Sequence, residues 1–286
     1  MPELPEIESL RGDLARAITG ARVVRAQVLR RDMLHRGDGA PTMPLPAGGV
    51  IQALWRHGKQ LAVETVQHGC LLVHLGMSGS LRLMPIDLVP HERHVHARWT
   101  LQARNGQVLQ LRHRDPRRFG WLESHTCMPS LRHACWDRLG PDALTIEAED
   151  LHGRLKHSRR ALKAALLDQA ITAGLGNIYV DESLFRARLH PCMPAGRLRA
   201  EQVHQLARVI RHVLRVAVNR GGSTIQDHRT ADGTWGSFQK LHQVYGRAGL
   251  PCRACGEALS SRLVQQRMTV FCASCQPRRP RAALGS

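Results

Sequence analysis

Two groups of residues in this 286-residue chain have types and spacings that could do chemistry. The first is the opening segment, Met1-Pro2-Glu3-Leu4-Pro5-Glu6. A small residue after an initiator methionine leads to removal of that methionine, which would expose the secondary amine of Pro2. A terminal amine has a pKa of about 7.7–8, so a useful fraction is neutral near pH 7, whereas a lysine at about 10.4 needs far more perturbation. A neutral amine can attack an electrophilic sugar carbon to form an iminium, and the neighbouring carboxyl of Glu3 can move protons. The same residues are also a good helix N-terminus, with acids that suit the helix dipole, and taken alone that is the simpler reading. The second group is Cys252, Cys255, Cys272 and Cys275, in the pattern C-x2-C-x16-C-x2-C. Two thiolate pairs at this spacing suit one tetrahedral zinc, with a hairpin between the pairs. Four thiolates leave no open coordination position, so this zinc is expected to be structural. The intervening hairpin carries Arg262, Gln266, Arg267 and Thr269, a basic tip suited to phosphates or a groove. Cys70, Cys127, Cys135 and Cys192 show no such pairing and read as buried small apolar residues.

The elements that must position these groups are of two kinds. Ile7, Leu10, Leu14 and Ile18 recur at helical spacing, predicting a helix over 4–18 that Gly20 stops. Short apolar runs follow, and 50–55, 60–66, 70–75, 80–84, 97–103 and 107–112 read as strands, the last two joined at Asn105-Gly106. Strands this short and closely spaced predict an antiparallel sandwich or barrel. Residues 125–150 read as a connection, with Pro129 and Gly140-Pro141 as breakers. Helical periodicity returns after Leu151, with candidates at 160–169, 178–188 and 201–219, and Gly221-Gly222 ends the last. The stretch 222–236 reads as a loop, and 277–286 as a disordered basic tail.

Composition narrows the partner. Lys and Arg total 41 against 23 Asp and Glu, a formal charge of +18, which favours a polyanion, nucleic acid above all. No run of 18 apolar residues predicts a membrane span, and no signal peptide is visible. A reducing, cytoplasmic location is expected, with cysteines as thiols or metal ligands.

Six motifs then occur in a fixed order: the Pro-Glu-Leu-Pro-Glu start, Gly58-Lys59, His74-Leu75-Gly76-Met77-Ser78-Gly79, Asp115-Pro116-Arg117-Arg118-Phe119-Gly120, Gly174-Leu175-Gly176-Asn177-Ile178-Tyr179 and the four cysteines. In this the chain resembles the formamidopyrimidine-DNA glycosylase family from Pro2 to Gln276. The resemblance implies an α+β multidomain fold: an N-terminal antiparallel β-sandwich with flanking helices (1–135), a linker (136–150), a helix–two-turn–helix DNA-binding domain (151–240) and a zinc finger (241–276). It implies a bifunctional glycosylase and abasic-site lyase that removes oxidised purines, 8-oxoguanine and formamidopyrimidines, from double-stranded DNA. Pro2 would attack C1′, and β- and δ-elimination would cut the strand; Glu3 would protonate the sugar ring oxygen, Lys59 assist β-elimination and Arg267 the δ step. Met77, Arg117 and Phe119 would fill the gap left by an extruded base, although from sequence alone Met77 and Phe119 read as core residues. His94, Arg159, Lys163, Asn177 and Thr224 would contact DNA, with Thr224 in the loop that closes over the lesion. The enzyme is expected to use one structural zinc and no nucleotide cofactor, and to act as a monomer at the bacterial nucleoid. Two alternatives stand beside this: an endonuclease-VIII-like enzyme for oxidised pyrimidines, and a non-catalytic binder of damaged DNA. Val95 and Ala164 depart from the family pattern, which commonly has Asp and Pro there.

Overall fold

The structure is a computed structural model that describes residues 2–278 apart from 38, 41–42, 67–68, 89–91 and 224–235. Thr224, most of the predicted loop and most of the basic tail therefore lie outside the described residues. Two compact units are present: Met1–Arg138 with Val218–Ser237, and Leu139–Ala217 with Phe238–Ser286.

The first unit opens with helix α1 (Leu4–Ile18), whose Leu4, Ile7, Leu10, Leu14 and Ile18 are all buried, as their spacing requires. Nine strands follow: β1 (Arg22–Val28), β2 (Leu34–Arg36), β3 (Val50–His57), β4 (Gln60–Val66), β5 (Cys70–His74), β6 (Ser80–Pro85), β7 (Val95–Gln102), β8 (Val108–Arg114) and β9 (Trp121–His125). They form one sheet in the order β2-β9-β5-β4-β3-β1-β7-β8-β6. All pairings are antiparallel except β2 with β9. At β3–β1 the ladder thins to a single register pair, Arg22 with Val50. The two halves meeting at that hinge share one core, in which Ile51, Leu61, Val63 and Leu71 from one half join Val23, Trp99, Leu101 and Leu111 from the other. This is the expected sandwich, drawn as a single folded sheet.

The predicted connection at 125–150 is partly helical. A short helix α2 (Met128–Leu131) runs into a π-helical turn, Arg132–Trp136, and α3 (Ala148–Leu155) begins before the point where periodicity suggested. In the second unit, α4 (Leu162–Leu166) is shorter than predicted, because Asp168 leaves the helix to accept from Arg160 and from the Ala170 amide. Helices α5 (Asn177–Arg186) and α6 (Ala200–Asn219) match expectation. The hairpin β10 (Ser260–Val264) and β11 (Arg267–Phe271) lies between the cysteine pairs. In the first unit the Ser223 amide donates to the Glu6 carboxylate of α1 at 2.7 Å.

Candidate active site and nucleic-acid interface

In the first unit the candidate nucleophile sits at a tightly held helix start. Pro2 and Glu3 are buried. Glu3 is the N-cap of α1, and its backbone N–H donates to Glu6 Oε2 at 2.8 Å in a reciprocal capping box. The other oxygen of Glu6 takes the Ser223 amide, so one buried carboxylate fixes both the Pro2-Glu3 backbone and the entry to the 224–235 segment. Gly222 lies so close to Glu6 that a Cβ there would meet Oε1 at 2.4 Å.

Lys59 occupies the tight β3–β4 turn, where Gly58 has a φ of +55°. Arg56 anchors that turn, donating to the Gly58 carbonyl at 3.1 Å and to Glu8 of α1 at 2.8 Å. Burial works to raise the Glu8 carboxyl, but hydrogen bonds and charge from Arg11 and Arg56 outweigh it and hold the group below the usual range. The helix that carries Pro2 and the turn that carries Lys59 are thereby tied through one guanidinium. Burial, with the Lys59 charge beside it, also holds His74 below the usual histidine range. The His74 ring stacks on Trp121 at 5.5 Å between centroids.

Met77 and Phe119 are 45% and 53% exposed, not in the core where isolated sequence reasoning puts them. What holds them out is Asp115, which is wholly buried. Its carboxylate accepts from Ser78 Oγ at 2.6 Å, from the Gly120 amide at 2.8 Å and from the Arg117 amide at 3.3 Å. The β5–β6 and β8–β9 loops are thus clamped on one side chain. Two glycines make the approach possible: a Cβ on Gly76 would lie 2.4 Å from the Phe119 carbonyl carbon, and one on Gly120 would lie 2.6 Å from the His74 oxygen. The loops present Met77, Arg117 and Phe119 together, with the Arg117 guanidinium 4.8 Å from the Phe119 ring centre. His94 is exposed, with a φ of +67°, and its carbonyl accepts the Asp115 amide.

The second unit builds a separate basic surface. Arg159 is exposed beside Lys156, His157 and Arg197, which line one shallow pocket. Asn177 starts α5 after Gly176, half-buried, and its Nδ2 donates to the Met268 carbonyl of β11 at 3.1 Å. Lys163, a DNA contact by the resemblance, sits inside the second unit. It is fully buried, 2.7 Å from Asp181 Oδ1, and it too donates to the Met268 carbonyl, at 3.0 Å. The second oxygen of Asp181 accepts the Val270 amide at 3.1 Å. Burial pushes the Asp181 carboxyl up to about 6 against the opposing pull of Lys163. A cation held in this way joins α4 and α5 to β11.

The hairpin turns through Gln265 and Gln266, both at positive φ, and exposes Arg262, Leu263, Arg267 and Met268 at its tip. Among the described residues, six non-glycine residues have positive φ, and four of them lie in predicted DNA-facing segments: His94, Arg118, Gln265 and Gln266. Such backbone is retained where a precise loop shape is needed.

The four Sγ atoms of Cys252, Cys255, Cys272 and Cys275 lie within 4.8 Å of one another. Cys252–Cys275 and Cys255–Cys272 are 3.9 and 3.4 Å apart, too long for disulfides and near the ~3.8 Å edge of a tetrahedron with 2.3 Å Zn–S bonds. The Ala254 and Cys275 amides point at the sulfurs of Cys252 and Cys272 at 3.4 Å, which suits thiolate acceptors. Only a small cluster, including Phe185, Val244, Leu259 and Val270, packs behind these cysteines, so a metal staple is needed for stability. The donors fit one structural zinc.

Sequence reasoning missed four residues that hold the site: Glu6, Arg56, Asp115 and Asp181. Glu6 had a visible signal, the acid three residues after the N-cap; the others act through long-range pairings.

Residues 1–122 match the profile of the formamidopyrimidine-DNA glycosylase N-terminal domain, and 139–229 that of the formamidopyrimidine-DNA glycosylase H2TH domain. The chain is 42% identical to a formamidopyrimidine-DNA glycosylase of Shewanella amazonensis, over 96% of this chain and 99% of that one. It is 41% identical to one of Vibrio cholerae, over 96% and 100%. Among solved structures it is similar to the MutM (Fpg) protein of Thermus thermophilus, with 39% identity, a TM-score of 0.84 and coverage of 98% and 100%. It is also similar to Lactococcus lactis Fpg in complex with DNA containing an abasic site, with 32% identity, a TM-score of 0.84 and coverage of 96% and 99%.

Proposed function

The chain belongs to the formamidopyrimidine-DNA glycosylase family, and from that premise we propose that it excises oxidised purines from duplex DNA and cuts the resulting abasic strand, with Pro2 as nucleophile. The observation that carries this reading is the buried, capped start of α1, with Pro2-Glu3 fixed by Glu6 beside the anchored loop entry.

Once Met1 is lost, the Pro2 nitrogen attacks C1′ of the damaged nucleotide. The N-glycosidic bond breaks, its electrons leave with the base, and the base takes up a proton. Glu3 protonates the ring oxygen as the sugar opens, leaving an iminium between Pro2 and C1′. That cation acidifies the C2′ proton, whose loss expels the 3′ phosphate, and a second elimination expels the 5′ phosphate. Lys59 assists the first elimination from the anchored β3–β4 turn, and Arg267 grips phosphate for the second from the exposed hairpin tip. Met77, Arg117 and Phe119 occupy the gap in the duplex: apolar wedges unstack the step, and the guanidinium meets the orphaned base. Arg159, His94 and Asn177 steer the phosphate backbone, and Thr224 belongs to the lesion-facing loop. Lys163 takes the role of a positioning residue for β11. The zinc held by Cys252, Cys255, Cys272 and Cys275 supplies rigidity to the hairpin and takes no part in the reaction.

The working unit in this proposal is one chain without a nucleotide cofactor, acting on chromosomal DNA in the cytoplasm. Among the described residues, no helix is long and apolar enough to cross a membrane. Strand incision on duplexes carrying 8-oxoguanine or thymine glycol tests the substrate. Preferential cutting at 8-oxoguanine is expected; preference for thymine glycol would move the chain to the pyrimidine branch, and binding without cutting would make it a damage sensor.

A further inference from the structure

Cys135 is one of the four cysteines outside the zinc hairpin, and its surroundings are not those of a buried small apolar residue. On β9, Glu123 and His125 are two residues apart and point to the same face. The π-helical turn Arg132–Trp136 brings Cys135 over that face. His125 Nε2 lies 3.1 Å from Glu123 Oε1 and 3.7 Å from Cys135 Sγ, and the sulfur lies 3.8 Å from the same carboxylate oxygen. We propose that Glu123, His125 and Cys135 form a second metal site, which takes a divalent ion of the zinc class on three protein ligands.

The distances fit such an ion. With bonds of about 2.0–2.1 Å to nitrogen and oxygen and 2.3 Å to sulfur, tetrahedral edges are about 3.3 Å for N···O and 3.5 Å for those to sulfur. All three observed separations are within a few tenths of an ångström of these. The arrangement is also wrong for a cysteine nucleophile with a histidine base, in which the acid holds one ring nitrogen and the thiol meets the other. Here thiol and carboxylate converge on the same nitrogen, so the three donors face a common point.

The imidazole is held in place for this role. His125 is 1% exposed, and a Cβ on Gly37 would come within 2.9 Å of its Nδ1. A Cβ on Gly69 would meet the His125 carbonyl oxygen at 2.2 Å. Glu123 and Cys135 are only partly buried, which leaves a path for an ion and an open fourth position for water. The site sits at the far end of β9 from Trp121, about 14 Å along a strand of that length, and so away from the Phe119 loop. An ion there would pin β9 to the π-helical turn.

Zinc counting on the full chain, equilibrated with micromolar zinc and then desalted, tests this. Two zinc ions per chain are expected for the parent, and one each for Cys135→Ser and Glu123→Gln, both keeping full excision activity. A parent count of one, or a count of two that persists in both variants, overturns the proposal. A second measurement needs no variant: zinc should slow alkylation of Cys135 by at least about tenfold while the exposed Cys127 reacts unchanged. Equal rates at Cys135 with and without zinc would also overturn it.

Discussion

Replacing Asp115 by Asn changes one atom in the clamp that presents Met77, Arg117 and Phe119. The carboxylate has two oxygens, one accepting from Ser78 and Arg117, the other from Gly120. A carboxamide has one acceptor, so whichever way it turns, its amino group must face a donor. If the oxygen stays with Ser78, the Gly120 amide loses a charge-assisted bond, about 1.5–3 kcal/mol, and is left buried and unpaired at a cost of about 1–3 kcal/mol. The loops relieve this by opening, so the loss falls on local stability. About 3 kcal/mol corresponds to a factor of roughly a hundred in the opening equilibrium. Hydrogen exchange at the Gly120 amide should therefore accelerate by about that factor, with β4 amides unaffected. Excision from a lesion duplex should fall with it, since the loops no longer hold the wedge in place. Gly120 exchange within about threefold of the parent would refute the clamp.

Met77→Ala and Phe119→Ala each remove a largely exposed side chain, so stability should move by under about 0.5 kcal/mol while excision from duplex falls at least about tenfold; a large loss in thermal unfolding would put them back in the core. Lys163→Met leaves Asp181 buried without its cation and should cost about 3–5 kcal/mol in urea unfolding, most of it regained in Lys163→Met/Asp181→Leu. Weakened DNA binding at unchanged stability would instead make Lys163 a direct contact. Burial holds His113 at about 4, so it is neutral in the fold but protonates near 6.5 when unfolded. The stability this gives is complete above pH 6.5 and lost as pH falls towards 4, about 2 kcal/mol between pH 7 and 4.5 by urea unfolding, and His113→Leu should flatten that loss.

How far the sequence could be read depended on the range of the interactions. Helix α1 was visible because four apolar residues at helical spacing, Ile7, Leu10, Leu14 and Ile18, meet one core. Strand β1 was hidden: a register shift between Val23 and Arg25 breaks its alternation, and arginines interrupt it. Strand β2 has three residues and a parallel partner far along the chain, and β9 carries Glu123 and His125 where a strand pattern expects apolar residues. The start of α3 does carry a helix signal, with acids at 149 and 150 in its first turn and leucines at 151 and 155, which the breakers upstream obscured. At the site, residue types were legible but their settings were not. Lys163 looks like a surface cation until Asp181, eighteen residues on, is brought against it. Met77 and Phe119 look like core until Asp115 holds their loops outward.

The central claim is that the Pro2 amine carries the chemistry. Borohydride reduction during turnover on an 8-oxoguanine duplex, followed by peptide mass spectrometry, tests it most directly. A DNA adduct is expected on the peptide that begins at Pro2, and its loss when Met1 is retained. No adduct, or one on Lys59, would contradict it.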